Sequence, residues 1–494
     1  MSQATQTAAS NIPAPDTGDR LDLTNIQGDI LSGLPKKTET YYFFEITDPA
    51  TFKTHMKRFI REIKTVKGVL KDREAIERHR KEHSKDGRKP PLIPLVGVNI
   101  SFSHFGLAAL EIDDGNLVDT AFLSGQRADA ENLGDAGTGT GQDFVPDWEE
   151  PFRDLHIHGV ILIAGDSHGT VIKKLREIEA LFDVKGSSPS IKEVTTIVGD
   201  VRPGDVSAHE HFGFLDGISN PAVIGFDTRF HPGPVPVRPG AILVGRDGDS
   251  NEPNRDSWMI DGSFMVFRYL FQKVPEFDKF LEDNAIDSPG LTKEQGKELL
   301  GARLVGRWKS GAPVDITPFI DNPQLALDPT RNNNFHFAAE RDFQKLCPFA
   351  AHIRKTLPRA DLEASGISLE SRRIMRRGIQ FGPELTKQEK RERKTIHGRG
   401  LLFVCYQSSI VDAFQFIQKR WSNEPRFPPF ERAPEEPGFD PIIGQGQSGR
   451  KLSGYHPDRP QDELLLPDEL FVVPRGGEYF FSPSLKGLKE KFTA

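Results

Sequence analysis

Two stretches in opposite halves of this chain repeat one pattern, and that duplication restricts the fold more than any other feature. His158-Gly159-Val160-Ile161-Leu162-Ile163 and Arg399-Gly400-Leu401-Leu402-Phe403-Val404 each open an apolar strand with a basic residue and a glycine. A helix is expected after each. One carries Val171, Leu175, Ile178 and Phe182, the other Ile410, Phe414, Ile417 and Trp421, and 4-3-4 spacing puts each set on one helix face. Ser409 suits the N-cap of the second helix, with Asp412 three residues on. Earlier in each half a second match occurs. Tyr42, Phe44 and Ile46 alternate as a strand before a helix with Phe52, Met56 and Phe59; Phe267, Tyr269 and Phe271 do so before a helix with Phe277, Phe280 and Leu281. The pattern predicts an α+β fold of two related units, each an antiparallel sheet with peripheral helices. The Pro- and Gly-rich HPGPVPVRPG tract marks a boundary near residues 225 to 240. The division expected is a polar tail at 1–20, a first domain at 21–230 and a second at 231–494. Residues 428 to 460, rich in Pro and Gly, read as a long loop near a site or an insertion.

A length of 494 residues suits two or three domains. With 64 basic and 71 acidic residues, and no basic tract, nucleic acid is excluded as a partner. The longest apolar runs, Val160 to Ala164 and Leu401 to Tyr406, are far too short to span a membrane. The first twenty residues have neither a basic start nor an apolar stretch, so no signal peptide is expected. Two cysteines cannot build a disulfide framework, and Cys347 and Cys405, both in apolar runs, read as buried thiols. The sequon Asn99-Ile100-Ser101 sits in a run that reads as strand rather than as a glycosylated loop. Easily oxidised side chains are few (five Met, four Trp, six Tyr), which suits contact with strong oxidants.

Four short segments carry the chemistry. In Gly213-Phe214-Leu215-Asp216-Gly217 an acid is set between glycines and bulky apolar residues, a placement suited to moving a proton from inside a pocket. Its alternative is an ordinary turn acid. Cys347-Pro348-Phe349-Ala350-Ala351-His352 delivers one histidine from an apolar run; Arg376 and Arg377 precede Gly378; Asp440 sits in Gly438-Phe439-Asp440-Pro441. His156 with His158, and His209 with His211, have only half of a zinc set each, with no Cys pair nearby.

Read in order, IQGDIL (from Ile26), GFLDG, CPFAAH, RRGIQFG, GLLFVCYQ, GFDPIIGQ and VPRGGEYFFSP (from Val473) resemble the dye-decolourising peroxidases, specifically their fungal branch. The resemblance runs from about residue 21 to the C-terminus. It implies two ferredoxin-like domains, with haem b (iron protoporphyrin IX) in a pocket mainly of the second. The implied activity is hydrogen peroxide-dependent, one-electron oxidation of bulky aromatic dyes, phenols or lignin-like small molecules, passing through high-valent iron. Acidic conditions are expected to favour it, because a carboxylate base stays ionised where an imidazole would be protonated. The resemblance further implies a monomer or small homo-oligomer and an extracellular enzyme, while the N-terminus leaves a cytoplasmic one open.

The same resemblance implies residue roles. His352 would be the axial iron ligand, made more electron-rich by Asp440. Asp216 would carry peroxide's proton from one oxygen to the other, and Arg376 would supply positive charge beside it. Leu401 and Phe403 would narrow access to the haem, or simply pack the core. Arg354 would pair with a haem propionate, or be a surface charge. Trp421 would be a surface radical site, or a core residue of its helix. Some relatives carry Tyr where this chain has Phe381, which removes one electron relay. No acidic cluster stands out for manganese. Cys347 is the rival axial ligand, and the rival function is a non-catalytic haem-binding or haem-handling protein.

Overall fold

The computed structural model describes residues 21–83, 92–428, 436–446 and 449–493; the expected tail at 1–20 lies outside the described residues. The first half supplies strands β1 (Thr38–Ile46), β2 (Val96–Phe102), β3 (Gly159–Gly165) and β4 (Ile191–Asp200). The second half supplies β5 (Ser263–Gln272), the short β6 (Met375–Arg376) and β7 (Ile379–Phe381), then β8 (Gly400–Gln407) and β9 (Val472–Ser482). All nine join one sheet in the order β4-β1-β3-β2-β9-β5-β8-β6, with β7 also pairing with β8.

With β6 and β7 counted as one interrupted strand, each half has the spatial order fourth, first, third, second. Helices Pro49–Phe59 and His168–Leu181 follow β1 and β3; Val274–Asp283 follows β5, and Val411–Gln415, continued by Ile417–Ser422, follows β8. Each half is thus a ferredoxin-like β-α-β-β-α-β unit, as the duplicated pattern predicts. The two units are joined edge to edge. Phe102 of β2 pairs with Phe481 of β9, and beside them Ser101 Oγ lies 2.5 Å from Ser482 Oγ. The far edges approach too: a Cβ on Gly199 of β4 would fall 2.3 Å from Ile379 Cγ2 and 2.9 Å from the Gln380 carbonyl oxygen of β7. The sheet therefore curls towards a barrel, which shields its edge strands.

Side-chain alternation sorts the residues between two faces. Tyr41, Phe43, Met265, Phe267, Leu402, Val404 and Phe480 meet inside the curl. On the outer face of the first unit, Phe44, Phe52, Phe59 and Phe182 pack between sheet and helices, with Phe52 stacked 5.4 Å from Phe182. Each such ring contributes roughly 1.5–3 kcal/mol by leaving water. The second unit fills its outer face differently. Its last helix is widened by i→i+5 bonds, from Gln415 N to Ile410 O (2.9 Å) and from Asn423 N to Gln418 O (3.0 Å), and such π-type turns recur at functional sites. Ser409 Oγ does accept from Asp412 N at 3.1 Å, as its N-cap position predicts, and Asp119 also accepts the Ile410 N–H.

Asn99 is buried within β2, and both cysteines are buried. Of the 428 to 460 tract, the described residues include a strand Lys451–Ser453 paired with Glu463–Leu465. No helix among the described residues is long and apolar enough to cross a membrane.

One buried acid links this frame to pH. Burial raises Glu478 of β9 to a pKa of about 7, although its carboxylate accepts the Gln126 and Tyr479 N–H groups at 2.9 and 2.7 Å. A folded pKa above the unfolded value gives stability that is complete below about pH 4.5 and is lost as pH rises towards 7. Glu478→Gln should therefore flatten this part of the stability profile, by up to about 1.4 kcal/mol per pH unit. Parallel pH series of denaturant midpoints for the two proteins test this; parallel curves would contradict it.

Candidate active site

A cavity of about 280 Å³ opens on the outer face of the second unit, where Leu401 and Phe403 of β8 point outward while Leu402 and Val404 point into the curl. Asp216, His352 and Arg376 all line it. Residues distant in sequence thus meet in one chamber. Three local structures deliver them.

The first is the loop around Asp216. Gly213 and Gly217 have φ of +95° and +80°, a backbone region that residues with a Cβ avoid. Phe212 and Phe214, on either side of Gly213, bury their rings against Phe277. The half-buried Glu210 carboxylate accepts the Phe212 and Phe214 N–H groups, both at 2.8 Å, and the Gln272 amide of β5. Asp216 N donates to Ala208 O and Leu215 N to Lys309 O, both at 3.1 Å. The loop is therefore fixed on both sides of the acid. Asp216 itself remains 44% exposed, with Arg376 Nη2 3.9 Å from its Oδ1.

The second is the turn into helix His352–Thr356. Glu340 shapes it by accepting the N–H groups of Leu346 (2.7 Å) and Cys347 (3.0 Å). The third is the turn holding Asp440, whose carboxylate is wholly buried. Its Oδ1 accepts Ile442 N at 2.8 Å and Ile443 N at 3.1 Å, and its Oδ2 lies 2.8 Å from His352 Nδ1. With Nδ1 engaged by Asp440, Nε2 is left to the chamber that the ring lines. Burial by itself would lower the imidazole pKa; the bonded Asp440 carboxylate outweighs it and holds the pKa above the usual histidine value. Arg376 works with burial to lower it and Asp216 with Asp440 to raise it, so both charges are felt at the ring.

Two expectations need correction. Arg354 does not face the cavity and is not a surface charge. It is wholly buried, with Nε and Nη2 each 2.7 Å from an oxygen of Asp361, Nη1 2.7 Å from Cys347 O and Nη2 2.8 Å from Glu340 O. The first turn of its helix swings it into the protein, where it secures the segment carrying His352. Trp421 is not a surface residue. It is 3% exposed and stacked on Phe427 at 5.2 Å, because it continues the apolar face of its helix. Cys347 is buried among Phe335 and Phe337, away from the cavity lining, and burial pushes its thiol up to about 12. It stays protonated, which disfavours it as a ligand. His158 Nδ1 accepts the Ile46 N–H, and His211 Nε2 lies 2.9 Å from Phe381 O.

Sequence reasoning missed three cations in the wall. Arg307, Arg359 and Arg373 line the cavity and are at most 6% exposed, yet none makes an ion pair among the described residues. Arg307 and Arg359 bond to carbonyls and to Asn333 Oδ1 (2.9 and 2.7 Å), and Arg373 only reaches Val235 O at 3.4 Å. Burial drives Arg307 and Arg373 down to about 10. Buried cations without counter-charge are costly, and an anionic ligand would relieve them. A largely apolar group that carries negative charge and a metal that accepts an imidazole fits this lining.

Comparison with known proteins identifies the family. Residues 25–203 match the model described as DyP dimeric alpha+beta barrel domain, and residues 208–430 the model described as Dyp-type peroxidase, C-terminal. The chain belongs to the dye-decolourising peroxidase family, whose cofactor is haem, and it is a peroxidase. It is 42% identical over 492 residues to a dye-decolorizing peroxidase of Mycena epipterygia, covering 95% of this chain and 87% of that one. A solved variant of the dye-decolorizing peroxidase from Pleurotus ostreatus is 57% identical with a TM-score of 0.92, over 96% of this chain and all (100%) of the other. Another solved dye-decolorizing peroxidase, in complex with 2,6-dimethoxyphenol, is 43% identical with a TM-score of 0.84, again over 96% and 100%.

Arg373 has the weakest internal bonding of the three wall cations, so it gives the cleanest test. Arg373→Met should weaken haem retention by about tenfold to a hundredfold, the worth of one charged hydrogen bond. Haem transfer to an apo-globin acceptor measures it, and unchanged retention would remove Arg373 from the cradle.

Proposed function

We propose that the chain holds haem b on His352 and uses hydrogen peroxide to oxidise bulky dyes and phenols by one-electron steps, best in acid. The observation that carries this reading is the placement of an acid, a guanidinium and a carboxylate-backed imidazole around one cavity. When bound, haem would supply the iron that takes peroxide and the electrons that cleave it. His352 Nε2 is the donor available to that iron. Asp440, anchored by two backbone N–H groups, keeps the ring oriented and electron-rich. Arg307, Arg359 and Arg373 would meet the propionates.

Asp216 would take the proton from the inner peroxide oxygen and return it to the outer one, so that water leaves. The Arg376 guanidinium supplies fixed positive charge where peroxide anion and departing hydroxide build negative charge. Leu401 and Phe403 restrict the chamber, so large dyes would give up electrons through the protein rather than by entering it. The related complex with 2,6-dimethoxyphenol supports a phenolic substrate class. A haem carrier needs no acid–guanidinium pair, which favours the enzyme over that alternative.

The pH behaviour follows from the chemistry of the base. A carboxylate still accepts protons below about pH 5, where an imidazole is already charged. Asp216→Asn should slow the reaction with peroxide by about a hundredfold to ten-thousandfold at that pH. Stopped-flow absorbance after one equivalent of peroxide reads it, and undiminished rates would end the assignment.

A further inference from the structure

Arg376 sits on a strand of two residues, with its open edge turned away from the sheet. Across β6 it faces Cys405 of β8, but it is the next residue, Arg377, whose N–H reaches Val404 O at 2.8 Å. The backbone N–H and C=O of Arg376 therefore point outward, where a further strand would ordinarily pair with them. No strand among the described residues lies there. The side chain of Asn220 does instead. Asn220 Oδ1 accepts the Arg376 N–H at 3.0 Å, and Asn220 Nδ2 donates to the Arg376 carbonyl at 3.2 Å. One carboxamide thus satisfies both backbone groups of a residue 156 positions away.

Asn220 also belongs to the loop that carries Asp216, only four residues further on. Pro221 follows it and confines its backbone to extended conformations, which limits how far the amide can wander. Its neighbour Ser219 is tied to the cavity wall, with Arg307 Nη2 donating to Ser219 Oγ at 3.1 Å. The gap between Asp216 and Arg376, 3.9 Å at its shortest, is too long for a strong direct bond, so their spacing depends on what holds their backbones.

We propose that Asn220 is a positioning residue: its carboxamide clamps the Asp216 loop to the Arg376 strand and sets the acid–guanidinium spacing. This rests on the roles given above to Asp216 and Arg376. Neither hydrogen bond touches the reacting atoms, so the effect is transmitted through Arg376. Asn220 should matter for peroxide and not for dye.

The test is a double-mutant cycle on the holoenzyme. Asn220→Ala should lower the second-order rate constant for peroxide by about tenfold to a hundredfold, the usual consequence of misplacing a catalytic group by about an ångström. The KM for the dye should not change. Asn220→Asp keeps the acceptor but loses the donor, so it should fall between Ala and wild type; it also carries the comparison where the Ala variant fails to take up haem. In an Arg376→Ala background the substitution at Asn220 should have no further effect. A wild-type peroxide rate in both Asn220 variants, or a full additional loss in the Arg376→Ala background, would overturn the inference. Asp216→Asn in the same assay separates the two failures. If it is inactive while the Asn220 variants are normal, the clamp alone is wrong; if it is fully active, the acid–base reading beneath it is wrong.

Discussion

The bond between His352 Nδ1 and the buried Asp440 carboxylate is the interaction from which the rest of the site takes its meaning. It fixes which imidazole nitrogen is free and which way the ring faces. It also places a wholly buried carboxylate in the interior, where two backbone N–H groups, the imidazole and the nearby cations Lys355 and Arg450 offset its charge. The sequence around Asp440 answers that need: Pro441 cannot donate, and the next two residues turn their N–H groups back onto the acid.

The doubled sheet explains why a chamber exists beside this pair. Both units have the same strand order, and both send one set of side chains into the shared interior. On the outer face the first unit closes with rings from its helices. The second unit has a widened helix there, and its β8 side chains Leu401 and Phe403 remain at a cavity wall. A loop from the segment between β4 and β5 then brings Asp216 against β6.

Much of this was legible in the chain. Strand alternation and 4-3-4 spacing report one face of one element, which is why the duplicated units could be read. Asp216 stood out between its glycines, whereas His352, Arg376 and Asp440 were singled out through the resemblance of their motifs to one family; the structure brings Asp216, His352 and Arg376 to one cavity. What could not be read depends on contacts across long separations. The edge pairing of β2 with β9 joins residues at opposite ends of the chain. Arg354, two positions beyond His352, reads as a propionate partner or a surface charge, and a helix of only five residues turned it into the protein instead. For Trp421, the same face that packs Ile417 buried the indole. The wall cations come from three separate stretches, and only a hint marked one of them: Arg307 lies in the apolar run Leu304-Val305-Gly306-Arg307-Trp308, with no acid beside it.

The central claim is that His352, electron-enriched by Asp440, is the iron's protein ligand. The iron–imidazole stretching vibration of the reduced holoenzyme tests it most directly. An imidazole band is expected, moving to lower frequency when Asp440 is replaced by Asn. A thiolate signature, or an imidazole band indifferent to that replacement, would contradict it.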